Sequence, residues 1–173
     1  MMFYRLQTEH IYDEVLYEYV RSFSEYCRKS EFQHLTHSER YWEIPSESNF
    51  EFTDFFYINN EVPLFSSWAW DRITACGNTD GIFVIPVRIF YRGEEHQYYI
   101  AVPPRIYCLD ERKTVLKKYS EVYHAENTVI SPEETGRYNV FSIAGTDDDN
   151  IYIKHIIADK LSKISDDFII MKV

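Results

Sequence analysis

The sequence predicts an α+β fold with a mostly antiparallel sheet. Segments rich in aromatic and β-branched residues recur between polar turns, and two of them are joined as a hairpin rather than through a βαβ crossover. The chain has 173 residues, 45% of them hydrophobic, which is enough to bury a core without disulfides. We therefore predict one domain, residues 1–173, with a helical N-terminal subregion at 1–60 and a β-rich region at 61–173.

The N-terminal subregion shows two different periodicities. Alternation of apolar and polar residues over Met2–Gln7 predicts an opening strand. From Ile11, apolar residues recur at helical spacing, and they predict an N-terminal amphipathic helix that ends near Lys29. The polar stretch 31–48 indicates a loop with a short element around Tyr41–Ile44.

A strand and a middle helix follow. Phe50–Ile58 is rich in β-forming residues and predicts a strand. The next helix is expected to start in the segment after Pro63, with Ser66 or Ser67 as its N-cap. It should run to about Cys76, and Gly77 should end it.

The central hairpin is the strongest local pattern in the chain. Ile82–Tyr91 and Gln97–Val102 read as strands on either side of the polar segment Arg92–His96, which contains a glycine. Pro86 lies inside the first strand, and proline in a strand favours an edge or a bulge because it has no N–H to donate.

The remaining elements are short. A stripe of Ile157, Leu161 and Ile164 predicts a helix within residues 154–164 of a C-terminal strand–helix–strand unit. Further strands are predicted at Arg105–Leu109, Glu121–Ile130, Tyr138–Ile143, Ile151–Ile153 and Phe168–Val173.

The sequence contains no motif of a well-known enzyme class: no phosphate-binding glycine loop, no HExxH and no GxSxG. His34 and His37 lack a third or fourth metal ligand nearby, and the three cysteines form no CxxC pair. The acidic run at Asp147–Asp149 lacks the glycine and the glutamate of a calcium-binding EF-hand loop. We therefore expect no enzyme, no metal and no cofactor.

Charge and hydropathy limit the partners. A net charge of −10 disfavours nucleic-acid binding, which needs a basic surface. The absence of a secretory signal, of a long apolar run and of paired cysteines predicts a cytoplasmic protein with no membrane partner. Residues 119–150 carry seven acidic side chains against Arg137 alone, which suits either a solvated surface or a basic partner.

Two tryptophans, Trp68 and Trp70, are separated by one residue in the middle helix. Because residues two apart on a helix point about 200° apart, the two rings cannot share one face. A helical wheel that starts at Leu64 places Trp68 in the core and Trp70 among small polar residues. Trp70 is then covered by a second layer, anchors a protein partner, or lines a ligand pocket.

Residues 60–173 contain an ordered series of segments: EVPLFSSWAWDRI, GIFVIPVRIFYRGEEHQYYIAV, LDERKTVLKKY, YNVFSIAG and IYIKHIIADKLSKI followed by FIIMKV. This order resembles the bacterial immunity proteins of polymorphic toxin systems, in a group first catalogued as a domain of unknown function. The resemblance implies a helix before an Ile-Pro-Val strand, a hairpin, a Leu-Asp turn and a terminal strand–helix–strand unit.

The resemblance also implies a function, which is to bind and neutralise a cognate toxin by occlusion. We predict Trp70 as the apolar anchor, with Asp147, Asp148 and Asp149 as the acidic contribution toward a basic toxin domain. Added salt and charge reversal at the three aspartates should then weaken binding. The alternatives are a small enzyme whose active site is assembled from distant residues and a self-associating adaptor protein.

Overall fold

The computed structural model describes residues 1–12, 41–58, 62–77 and 79–173, and over these residues it contains thirteen strands and two helices. The predicted α+β class with antiparallel pairing is confirmed at this level, although three strand pairs are parallel. In order, the elements are β1 Phe3–Gln7, β2 Ile11–Tyr12, β3 Tyr41–Glu43, β4 Phe55–Ile58, β5 Val62–Ser66, α1 Ser67–Ala75, β6 Phe83–Tyr91, β7 Glu94–Val102, β8 Arg105–Ile106, β9 Val115–Tyr119, β10 Val122–Asn127, β11 Val140–Ile143, β12 Ile151–Lys154, α2 His155–Leu161 and β13 Ile169–Lys172.

The chain divides into two compact units. The first unit comprises residues 1–7, 73–82 and 103–173, and the second comprises residues 8–72 and 83–102. Each unit is assembled from segments that are distant in sequence, and the division falls within α1. The expectation of a single domain stays a prediction.

The second unit is built on a six-stranded sheet in the order β2-β4-β5-β7-β6-β3. Its core consists of aromatic and aliphatic side chains on the faces of the sheet, since successive residues of a strand point to opposite faces. Its most completely buried members include Trp42, Phe56, Ile58, Leu64, Ile89, Tyr98 and Ile100. This sheet holds α1 at the end of β5.

The predicted central hairpin is confirmed as β6 and β7. Their connection is shorter than expected, because Glu94–His96 already pair within β7 and only Arg92 and Gly93 remain in the turn. Both turn residues have positive φ, 49° and 88°, which is the geometry of a type I′ turn. Pro86 pairs with Tyr99 of β7 on one side, and the described part of β3 pairs with residues 88–90 on the other, so the edge or bulge position of Pro86 stays a prediction.

The segment before α1 differs from the prediction. Val62–Ser66 is a strand paired with both β4 and β7, so Pro63 does not lead into a helix. The predicted cap is confirmed, because the Ala69 amide donates to Ser66 Oγ at 3.1 Å and Ser66 Oγ donates to Asp54 Oδ1 at 2.7 Å.

The N-terminal predictions have mixed outcomes. The opening strand and the short element near Tyr41–Ile44 are confirmed as β1 and β3. The predicted amphipathic helix lies outside the described residues except for Ile11–Tyr12, which form β2 beside β4, so no helix begins at Ile11. Within Phe50–Ile58, only residues 55–58 are a strand.

The first unit is built on a five-stranded sheet in the order β13-β1-β12-β11-β8. The predicted C-terminal strand–helix–strand unit is confirmed as β12, α2 and β13. Helix α2 buries Ile157 and Leu161 as expected, but it ends at Leu161, so the predicted third member of the stripe, Ile164, lies beyond it. A cluster of buried side chains forms the core of this sheet: Phe3, Cys108, Ile130, Phe141, Ile143 and Tyr152. Within the described ranges, no helix is long and apolar enough to cross a membrane.

Candidate functional site

Trp70, the predicted anchor, is a buried residue, so the wheel that placed its ring among small polar residues is wrong, and the alternative in which Trp70 is covered agrees with the structure. Its exposed fraction is 8%, whereas Trp68, which the wheel placed in the core, is 42% exposed. The Trp70 ring lies 5.8 Å from the Phe65 ring and 6.3 Å from the Tyr99 ring, measured between centroids. Trp70 therefore belongs to the packing of the second unit.

The error comes from the starting point of the wheel. Leu64 and Phe65 belong to β5, where side chains alternate with a period of two, so they carry no information about a helical face. Within α1, the buried residues are Ala69, Trp70 and Ile73, which share one face at helical spacing. The phase of the helix is thus set by Ser66, the residue that caps it.

Trp68 is exposed but is covered on one side by a cation. The guanidinium of Arg72 lies 3.7 Å from the centroid of the Trp68 ring, and Arg72 Nη1 donates to the Trp68 carbonyl at 3.4 Å. An arginine one helical turn away thus shields much of this indole through a cation–π contact. The exposed tryptophan is a weak candidate anchor for this reason.

Two of the predicted aspartates are engaged with basic side chains of the same chain. Asp147 Oδ1 lies 3.2 Å from His124 Nδ1, and Asp149 Oδ1 accepts from Arg105 Nη1 at 2.9 Å. The other terminal nitrogen of Arg105 donates to the carbonyls of Ile143 and Thr146 at 3.0 and 2.9 Å. Arg105 therefore fixes the turn that carries the aspartates.

The carboxylate of Asp148 accepts hydrogen bonds from its own turn and from the buried Tyr152. Its Oδ1 accepts from the Asn150 amide at 2.8 Å, and its Oδ2 accepts from Tyr152 Oη at 2.5 Å. Burial first, and then Asp148, raises the pKa of Tyr152. Burial likewise raises the pKa of Cys108 to about 11, with the charges of Asp148 and Glu134 adding to the effect. Asp148 is therefore a structural acceptor.

The acidic segment is less available than its composition indicates. Of the seven acidic residues in 119–150, Glu126 forms an ion pair with Lys117, and Asp147, Asp148 and Asp149 have the partners described above. Intramolecular pairing lowers the charge that these groups can offer to a partner. The structure thus places Trp70 in the second unit and the aspartates, mostly paired, in the first.

An exposed apolar hairpin was missed in part by the sequence prediction. β9 and β10 form a two-stranded sheet of their own, with the strand ends Tyr119 and Val122 paired across the turn Ser120–Glu121. Ser120 has φ of 56°, so a non-glycine residue occupies a left-handed position in this turn. We call this element the exposed hairpin. Its five large apolar side chains are 41% to 61% exposed: Val115, Leu116, Tyr119, Val122 and Tyr123.

The apolar residues of the exposed hairpin lie on both of its faces. Alternation along the strands puts Val115, Tyr119 and Val122 on one face and Leu116 and Tyr123 on the other. Every residue of β9 is exposed. Within the described part of the chain, neither face is therefore packed against a core. The spread of apolar residues over both faces is the sequence signal that could have revealed this element.

The base of the exposed hairpin is firmly held. Thr114 is buried and exchanges hydrogen bonds with the Val129 backbone, and the Ser131 amide donates to the Cys108 carbonyl at 2.8 Å. The expected turn after Leu109 is present, and a hydrogen bond from Lys113 to Asp110 lowers the pKa of that carboxyl. The base of the exposed hairpin is therefore held by hydrogen bonds, and its tip is exposed.

The exposed hairpin is also tied along one edge. The Asp147 amide donates to the Tyr123 carbonyl at 3.0 Å, and His124 on the same strand meets the Asp147 carboxylate. These contacts bring one predicted site residue, Asp147, to the side of β10. The surface that results combines exposed apolar side chains with partly paired charges.

The residues that the structure describes contain no group of three His, Cys, Asp or Glu placed to hold an ion. His34 and His37 lie outside those residues. A comparison with protein-family models gives no match, and a comparison with curated protein sequences gives none either. The resemblance to immunity proteins stays a prediction from the order of segments.

Proposed function

We propose that this protein is an immunity protein that binds a cognate bacterial toxin domain and neutralises it by occlusion. The observation that carries the proposal is the exposed hairpin, which offers five large apolar side chains on a hydrogen-bonded base. An isolated two-stranded hairpin is marginally stable in water, so exposing this much apolar surface on one is costly unless a partner covers it.

The composition of the exposed hairpin suits a protein partner. Tyr119 and Tyr123 supply large rings with a polar end, the kind of side chain that dominates binding energy at protein interfaces. Its ionic side chains are balanced, with Lys117 and Lys118 against Glu121 and Glu126. Apolar contact by the hairpin is therefore the main source of affinity, and the net charge of −10 contributes to the rate of encounter with a basic toxin.

Occlusion requires no catalytic group in this chain. The toxin would be inhibited because the bound protein covers its active surface. A toxin surface complementary to the exposed hairpin would determine the specificity of binding. On this view Trp70 holds α1 in the second unit, and Asp148 holds the turn beside the hairpin.

Co-expression tests the proposal. The C-terminal domain encoded by the neighbouring gene is expressed in a sensitive host with and without this chain, and survival and co-purification are scored. We expect growth arrest by the domain alone, and rescue together with a stoichiometric complex when this chain is present. Arrest that persists despite equal expression of this chain, with no complex, would refute the proposed function.

A further inference from the structure

One edge of the exposed hairpin is an open strand. The Tyr123 carbonyl accepts a hydrogen bond from the Asp147 amide, so the N–H and C=O groups of Tyr123 point away from β9. Tyr123 is directly opposite Lys118. In an antiparallel pair, two opposite residues either both face each other with their N–H and C=O groups or both face outward. The backbone of Lys118 therefore points outward, and so does that of Leu116, two residues away.

This outward edge of β9 has no second strand among the described residues, whereas the outer edge of β10 has the Asp147 turn. The N–H and C=O groups of Leu116 and Lys118 thus present a template for one more extended chain. The Lys118 side chain is exposed and, among the described residues, forms no ion pair. Its ammonium lies 5.7 Å from the centroid of the Tyr123 ring.

We propose that β9 is the docking edge for an extended segment of the toxin partner, which adds to the exposed hairpin as a third strand. The inference rests on the proposed function and specifies how the partner docks. Main-chain hydrogen bonds from Leu116 and Lys118 hold the incoming strand, and the third strand turns a marginal two-stranded sheet into a stable one.

Charge selects the occupant. The incoming residue opposite Lys118 is acidic, because an opposite charge directly across a strand pair is favourable and like charges are not. The residue opposite Leu116 is apolar, two positions from the acidic one, since alternate residues share a face. A second copy of this chain fits poorly, because the antiparallel register that pairs all of Val115–Tyr119 puts Lys117 opposite its own copy.

The test uses the full chain and the C-terminal domain encoded by the neighbouring gene as the probe. Lys118→Pro removes an outward N–H without removing a hydrogen bond between β9 and β10, so the hairpin is kept while its edge is blocked. We expect this change to raise Kd about tenfold or more, since it removes a main-chain hydrogen bond and obstructs its neighbours. Lys118→Gln keeps the N–H and should raise Kd only about threefold.

Ala125→Pro is the matched control, because Ala125 is opposite Leu116 and its N–H points outward on the β10 edge. It should leave Kd within about threefold of wild type. Hydrogen exchange of the wild-type chain gives a second readout that needs no variant. The Leu116 and Lys118 amides should exchange at least about tenfold more slowly in the complex than in the free protein.

The outcomes separate the two proposals. A wild-type complex in which Lys118→Pro binds normally and the two amides exchange freely overturns edge docking but leaves the proposed function standing. Protection of the same amides in a concentration-dependent dimer of this chain alone assigns the edge to a second copy and overturns the inference. Failure of the wild-type chain to bind the probe overturns both.

Discussion

The β6–β7 and β9–β10 hairpins are both closed by two-residue turns that contain positive φ angles, Arg92–Gly93 in one and Ser120–Glu121 in the other. The first is flanked by β5 and β3 in a six-stranded sheet and buries Ile85, Val87 and Ile89 on one face. The second forms a sheet of its own and exposes apolar residues on both faces.

This difference shows that local hairpin chemistry does not determine burial. The turn and the β-forming residues establish both hairpins, but only in β6 do the largest aliphatic residues fall on every second position. In β9 the apolar residues Val115 and Leu116 are adjacent, so one of them must face away from any core. A hairpin of that kind remains available to another chain.

The largest expected effect comes from truncating a tyrosine in each hairpin. Tyr98 in β7 is fully buried and donates to the Thr53 carbonyl at 2.7 Å, whereas Tyr119 in β9 is 61% exposed. We expect Tyr98→Ala to lower the free energy of unfolding by about 3–5 kcal/mol and Tyr119→Ala to lower it by about 0.5 kcal/mol. Urea denaturation measures both, and equal losses would contradict the contrast between the hairpins.

The aspartates beside the exposed hairpin should differ next. Asp148 accepts hydrogen bonds from Asn150 and Tyr152, so Asp148→Ala should cost about 2 kcal/mol. Asp147→Ala removes only an exposed pair with His124 and should cost less than about 1 kcal/mol. Thermal unfolding of the two variants ranks them, and the reverse order would show that Asp148 is not a structural acceptor.

A variant of Asp147 also tests recognition separately from stability. If its remaining charge assists encounter with a basic toxin, Asp147→Asn should slow association at low salt by about twofold and leave dissociation unchanged. Stopped-flow binding to the neighbouring-gene domain measures both rates. A change confined to dissociation would point to direct contact rather than steering.

The two turns should respond with opposite signs. Gly93 has φ of 88°, so Gly93→Ala should destabilise the protein by about 1 kcal/mol although a methyl group there meets no atom within 4 Å. Ser120 holds φ of 56° without being glycine, so Ser120→Gly should stabilise the exposed hairpin by a few tenths of a kcal/mol, about 0.5 at most. Hydrogen exchange near each turn gives the local effect.

The base of the exposed hairpin predicts a pH dependence. Because the pKa of Cys108 is raised from 9.0 to about 11 by folding, the unfolded chain loses this proton first. The stabilisation is complete below pH 9 and should decline as the pH rises toward about 11. Denaturation at several pH values measures this slope, and Cys108→Ala should reduce it. An unchanged slope in that variant would mean that the thiol is not in a dry environment.

Sequence alone predicted the elements whose side chains have one strict period. The β6–β7 strands and the Ile157–Leu161 stripe of α2 are of this kind, since one face of each is buried, whereas the Ser66 cap was predicted from the preference for serine at helix starts. The face of α1 was mispredicted because a strand ends where the helix starts. β9 was missed because its apolar residues do not alternate.

The site was less predictable than the fold. Asp147–Asp149 stand out as a charge run, but their partners Arg105 and His124 are 44 and 23 residues away in sequence, and only tertiary structure brings them together. The exposure of Tyr119 and Tyr123 likewise depends on the absence of a covering layer among the described residues, which no local pattern records.

Replacing both exposed tyrosines of the exposed hairpin tests whether this hairpin is the binding surface. We would measure Kd for the neighbouring-gene domain with Tyr119→Ser/Tyr123→Ser and with the control Ile156→Ser/Met171→Ser, which changes two apolar residues of similar exposure in α2 and β13. If the exposed hairpin is the binding surface, the tyrosine variant should bind about 100-fold more weakly while the control stays within about threefold. Normal binding by a folded tyrosine variant would contradict it.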